Sequence, residues 1–247
     1  MGIRIPTSLP AKAPSLPDSI IVDSALWLNV IPCAQTVPPY QSAGQVLDLS
    51  AYANPGSSYQ VLVGPGGLVF DNVDDRISFG TNIVNPRLAG ARGLSAAVLV
   101  RPLGLASGAG RNQLFGFNLN GSLSCISAWF TDSGRLTFGG RSQAADTFQF
   151  CTTPTAVAAD GVDIFVCGVI DYSNDRLRLW VGERLVAEQT MSFGSDTYQP
   201  GVSTLVDTIG ATASGTYPLN GIIKGFALFR KPLDPGEISK VRELMMN

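Results

Sequence analysis

Apolar residues along this chain fall into short runs broken by Gly, Pro, Asn and Asp, and within most runs they alternate at the two-residue period of a β-strand. The unit GLVFDNVDDRISF at 67–79 carries two such runs across a polar turn, which predicts a β-hairpin. The glycines of GPGG at 64–67 supply a sharp turn just before it. Further on, Leu94, Ala96, Val98 and Val100 alternate with Ser95, Ala97, Leu99 and Arg101. Both sets are mostly apolar, so this strand is expected to be covered on both faces. QLFGFNL at 113–119 and SCISAWF at 124–130 flank Asn120-Gly121, a strong hairpin signal. RLTFGG follows a turn at 131–134, and DIFVCGVID at 163–171 is a nearly continuous apolar run. DRLRLWVGERLV at 175–186 holds two strands around Val181-Gly182-Glu183; in the first of them Leu177, Leu179 and Val181 share one face, with Arg178 and Trp180 on the other. Regular alternation of short strands and turns predicts a sandwich or barrel rather than βαβ units.

Only the C-terminus has a helical period. Asp234 is placed to cap, Pro235 fits the first turn, Glu237 completes a capping box, and Ile238, Val241 and Leu244 or Met245 form one apolar face. At the other end, residues 1–43 carry prolines at 6, 10, 14, 17, 32, 38 and 39, which favour extended backbone and an arm-like segment. Within it Ile20, Ile21, Leu26 and Trp27 belong to an apolar island that must pack on the body or on another chain. The expected division is an anchoring arm over 1–43 and a β-sandwich domain over 44–247.

LVFDNVDDRISFG at 68–80, LSAAVLVRP at 94–102, DIFVCGVIDYSNDRLRLWVGERLV at 163–186, TIGATAS at 208–214 and YPLNGIIKGFALFRKPLDPGEISKV at 217–241 occur in an order that resembles the concanavalin A-like lectin and glucanase superfamily. The resemblance is to its laminin G-like variant, of the type found in bacteriophage structural proteins. It implies an all-β, concanavalin A-like antiparallel sandwich or jelly roll, with the first segment a hairpin and the last a strand followed by a short helix. The chain departs from the family where Val181-Gly182 replaces a frequent Asn-Gly, and where Ile164-Phe165 replaces a frequent Trp-His.

Composition narrows the chemistry. Charged residues make up 15% of the chain, the net charge is -2, and the 17 Lys and Arg are scattered, which excludes a phosphate-neutralising stripe for nucleic acid. There is no His, so triads with a His base and His-ligated zinc are excluded. Cys33, Cys125, Cys151 and Cys167 lie far apart without a CxxC pair and read as buried thiols. No apolar run reaches membrane-spanning length, and the N-terminus lacks the apolar stretch of a secretory signal.

Glycosidases of the resembled superfamily carry clustered carboxylates on one strand, whereas the four glutamates, Glu183, Glu188, Glu237 and Glu243, form no such set. The expectation is therefore that the chain is not an enzyme and has no cofactor, calcium excepted. Asp71, Asp74 and Asp75 are the densest acidic group, able either to hold calcium or to shape the turn by bonding nearby amides; Asp171, Asn174 and Asp175 form a second such turn. Arg178, Trp180, Trp129 and Tyr172, with Tyr217 beside them, are candidates for sugar stacking and contact, the alternative being packing or subunit contact. Taken together, these features lead to the expectation of a virion structural protein of a bacteriophage, made in the host cytoplasm and homo-oligomeric. It joins other virion proteins through the arm (Ile20, Ile21, Leu26, Trp27) and touches host-surface glycan through the sandwich. The alternatives are a free carbohydrate-binding lectin and, after it, a glycan-cleaving enzyme.

Overall fold

The computed structural model describes residues 26–30, 45–46, 56–64, 66–81, 88–105, 111–120, 123–202 and 204–246. Within them the strands are β1 (Leu26–Val30), β2 (Gln45–Val46), β3 (Gly56–Tyr59), β4 (Leu62–Gly64), β5 (Gly67–Asp71), β6 (Arg76–Thr81), β7 (Gly93–Pro102) and β8 (Asn112–Asn120). They continue as β9 (Leu123–Phe130), β10 (Leu136–Gly140), β11 (Gln149–Thr152), β12 (Ile164–Asp171), β13 (Arg176–Val181), β14 (Arg184–Thr190), β15 (Val206–Ile209) and β16 (Asn220–Phe229). The helix α1 (Pro235–Met246) follows β16.

Two antiparallel sheets face each other. The first runs β14-β13-β12-β7-β16-β5-β4, with β1 also paired to β16, and the second runs β11-β10-β9-β8-β15-β6-β3-β2. This is the expected all-β, concanavalin A-like sandwich. Between the sheets, Phe70, Phe79, Phe115, Phe117 and Phe226 are fully or almost fully buried, with Phe115 edge-on to Phe226 at 5.2 Å and Phe117 stacked on Phe226 at 5.7 Å.

Strand β7 is buried on both sides, as its double apolar pattern predicts. Leu94, Ala96, Val98 and Val100 face the inter-sheet core. Ala97 and Leu99 join Phe165, Cys167, Val169, Ala227 and Phe229 in a second cluster, closed over by Ile238, Val241 and Met245 of α1. The helix starts as predicted: the Glu237 N–H donates to Asp234 Oδ1 at 2.9 Å, and the Asp234 N–H donates to Glu237 Oε2 at 3.1 Å. The hairpins also fall where the turn residues place them, β8 with β9 across 121–122 and β13 with β14 across Gly182 at φ 60°. Cys125, Cys151 and Cys167 are buried and free, and Cys33 lies outside the described residues.

The segment at 67–79 is not a hairpin. β5 pairs with β16 and β4 in the first sheet, whereas β6 pairs with β15 and β3 in the second. The turn between them is an arch that carries the chain across the sandwich. Alternation alone does not separate the two cases, because Leu68 and Phe70 from one side and Ile77 and Phe79 from the other all bury into the same core. The arch is held by its own polar groups. The Val73 N–H donates to Asp71 Oδ1 and the Asp71 N–H to Asp75 Oδ2, each at 2.9 Å, and Asn72 takes the left-handed conformation at φ 68°.

Of the arm, Ile20 and Ile21 lie outside the described residues. Leu26 and Trp27 lie on β1, whose backbone pairs antiparallel with the last part of β16, Leu26 opposite Phe229 and Val30 opposite Phe226.

Candidate ligand-binding site

The outer face of the second sheet carries a polar cleft, and a β-bulge creates it. Strict alternation along β8 would put Gln113 on the same side as Phe115 and Phe117. The register with β9 shifts between Gln113 and Phe115, so the two Phe rings enter the core while Gln113, Gly116 and Asn118 line the opposite face. Gln113 is 2% exposed and its Nε2 donates to Ser127 Oγ at 2.8 Å and to the Phe115 carbonyl. Asn118 Nδ2 donates to the Val206 carbonyl at 2.7 Å, and its backbone N–H donates to Asp207 Oδ1 at 2.7 Å. Thr208, Thr212 and Ser214 add hydroxyls, and Leu205 and Ala213 add apolar groups, to the lining of an open cleft of about 240 Å³, with Arg111 at its wall.

Arg111 belongs to a row of rings and cations across this face. Its guanidinium carbon lies 4.9 Å from the Trp129 ring centre and 4.8 Å from that of Tyr217. On the far side Trp129 meets Phe148 at 6.2 Å, and Arg141 lies over Phe148 at 5.5 Å. The row ties β8, β9 and the loops beside β10, β11 and β16 into one surface. Tyr217 also has a left-handed backbone at φ 56°, and the Gln113 N–H donates to its carbonyl at 2.9 Å, which fixes the ring beside Arg111.

The four stacking candidates do not form one site. Trp129 stands in the row beside the cleft. Arg178 and Trp180 lie on the other sheet, on the face opposite Leu177 and Leu179 as their spacing predicts. There Trp180 packs half-buried against the cluster under α1, and Arg178 pairs with Asp171 at 3.2 Å. Tyr172 is 1% exposed and lies in the core, with its hydroxyl donating to the Arg141 carbonyl and its ring stacked on Tyr198, so it offers no surface to a sugar. The sequence reading missed Arg111, Gln113 and Asn118. The available signal was the adjacent apolar pair Leu114-Phe115, which breaks the alternation of β8 and marks the bulge.

The acidic candidates are engaged in turns. Asp74 Oδ2 accepts from Gln60 Nε2 at 3.0 Å, while Asp71 and Asp75 bond within the arch. Burial, aided by the charges of Asp71 and Asp74, raises the Asp75 pKa above its usual value against the pull of the Asp71 amide. Asp171 accepts from Ser173, Asn174 and Arg178. Among the described residues no group of three or more His, Cys, Asp or Glu side chains is arranged to hold a metal. Burial pushes the thiols of Cys125 and Cys167 well up, so neither is a nucleophile at neutral pH.

No protein-family model matches the chain, and no curated protein sequence matches it. Solved structures do share its fold. The binding domain of botulinum neurotoxin serotype D superposes with a TM-score of 0.66 at 12% identity, over 94% of this chain and 53% of that one. Botulinum neurotoxin type C, from a structure concerned with cell entry through two ganglioside molecules, gives 0.62 at 15% identity, over 91% and 52%. Sialidase of Trypanosoma rangeli with bound sialic acid gives 0.64 at 14% identity, over 89% of this chain and 33% of that one. The chain thus spans about half the length of the neurotoxin chains and about a third of the sialidase. These likenesses establish the β-sandwich fold. They also correct the expectation that the chain is not an enzyme, since chains sharing this fold include a sialidase, and the fold supplies no ground for that exclusion.

Proposed function

We propose that this chain is a glycan-binding β-sandwich module that takes sugar in the cleft on the outer face of its second sheet. The observation that carries the reading is the lining itself. Amide and hydroxyl groups of Gln113, Asn118, Ser127, Thr208, Thr212 and Ser214 converge with the apolar Leu205 and Ala213 on one open cleft, and Arg111 at its wall stands against Trp129 and Tyr217, which matches a ligand made of hydroxyls and apolar ring faces. Support comes from the shared fold with a neurotoxin whose structure is described by its interaction with gangliosides. A glycan array with wild type, Tyr217→Ala and the double substitution Thr212→Ala with Ser214→Ala tests it. Binding that drops about tenfold or more in the cleft variants, and persists in Trp180→Ala on the other sheet, is expected. A blank array, or binding insensitive to the cleft changes, overturns it.

The finer reading is a bacteriophage structural protein of laminin G-like type, displayed on the virion by its arm so that the cleft meets host-surface glycan. It rests on the Pro-rich, partly apolar composition of 1–43, which suits a segment that anchors to other virion proteins. Deletion of 1–43 is expected to leave particles without the chain, and normal incorporation of the truncated chain would sink this reading.

A further inference from the structure

The row of rings and cations holds one arginine whose hydrogen bonding is incomplete. Elsewhere Arg101, Arg178 and Arg242 reach carboxylates. Arg111, by contrast, has neither an ion pair nor a hydrogen-bond acceptor among the described residues, and its guanidinium lies against the two rings. Stacking engages the faces of a guanidinium and leaves its N–H groups, which point outward in its plane, without partners. Trp129 and Tyr217 therefore hold the guanidinium at the wall of a cleft whose lining, among the described residues, contains no carboxylate.

We propose that the cleft selects an acidic glycan, a sugar bearing a carboxylate, and that Arg111 is the residue that receives that carboxylate. The inference rests on the glycan-binding reading above and adds a charge to it. A carboxylate is planar and presents two oxygens at the spacing of the guanidinium fork, so it can approach edge-on between the two rings and accept two parallel hydrogen bonds. Gln113, Asn118, Ser127 and Thr212 then meet the neutral hydroxyls of the same sugar. Nucleic acid phosphate fits less well, because this single cation stands in a neutral lining on a chain of net charge -2.

Titration calorimetry of the full chain separates the outcomes. The probes are an oligosaccharide of hexuronic acids, a sialylated trisaccharide, the carboxyl-reduced form of each, and a sulfated oligosaccharide. At least one carboxylated probe is expected to bind, and the two arms show whether the acid comes from a uronic or a sialic sugar. Carboxyl reduction and Arg111→Gln should each weaken binding about tenfold or more, the loss of a charge-assisted hydrogen bond. Arg111→Lys should recover part of it, because it restores the charge without the fork. Rising ionic strength should weaken wild type and spare Arg111→Gln. Equal binding of an acid probe and its reduced form, unchanged in Arg111→Gln, overturns the acidic specificity while leaving the glycan reading intact. Preference for the sulfated probe overturns the carboxylate. Absence of binding by every probe overturns both readings. Thermal melting of each variant shows whether lost binding is lost folding, and Arg111→Lys keeps the stack if Arg111→Gln does not fold.

Discussion

Asp163 gathers two cations on the outer face of the first sheet. Its Oδ1 accepts from Arg101 Nε at 2.7 Å, and its Oδ2 accepts from Arg101 Nη2 at 3.0 Å and from Lys224 Nζ at 2.6 Å. The Arg101 hydrogen bond, helped by Lys224, outweighs partial burial and lowers the Asp163 pKa below its ordinary 3.8. A carboxyl lowered in the folded state contributes stability that is fully present above the unfolded value and lost as pH falls through the folded one. Asp163→Asn should thus cost about 1 kcal/mol at neutral pH, with the gap from wild type closing as pH falls below the ordinary carboxylate range. Urea midpoints across that range measure it, and a gap independent of pH contradicts the assignment. Gly168 sets a different constraint. A Cβ there would fall on the ring of Phe138, which reaches across from the opposing sheet. Gly168→Ala should cost about 1–3 kcal/mol through overpacking, read as a lowered urea midpoint with an unchanged m-value.

Among the elements, what the sequence made legible was whatever depended on local chemistry. The capping box of Asp234 and Glu237, the glycine turn at Gly182 and the double burial of β7 each follow from residues near one another in the chain. The arch at 71–75 was misread because a hairpin and an arch share a signature, two alternating runs around a polar turn. They differ only in whether distant β16 and β15 claim the two strands separately. The bulge in β8 is likewise fixed by its partner β9, and it decides which side of the sheet Gln113 occupies. Local origin also makes the cap testable. Asp234→Ala removes the acceptor for the Glu237 amide and should cost about 1 kcal/mol, while Asp234→Ser should recover most of it. Because α1 covers Ala97, Phe165 and Phe229, fraying of its first turn should also speed amide exchange in β7 and β12. Unchanged exchange there would mean that the helix docks independently of its cap.

For the whole molecule, the two-sheet architecture was readable because strand period and turn residues repeat from about residue 44 to the end. The site was not, because its lining is assembled from β8, β9, β15 and the loop at 210–219, and single polar residues on each announce nothing alone. The aromatic residues that stood out, Trp180 and Tyr172, serve packing on the first sheet and in the core. The arm is the remaining global question, and β16 makes it a quantitative one. Along one side β16 pairs with β7 nearly throughout; along the other, β5 reaches only Asn220 to Ile223, and β1 takes the stretch from Phe226 to Phe229. Removing 1–43 should therefore leave a folded sandwich whose β16 exposes an unpaired backbone edge over 226–229. Near-ultraviolet circular dichroism should persist, the urea midpoint should fall, and the truncated chain should self-associate more strongly as its concentration rises. A synthetic peptide spanning 24–32 should raise the midpoint again and suppress the association by refilling that edge. If the peptide does neither, the pairing of β1 with β16 contributes nothing to stability, and the edge is covered in some other way.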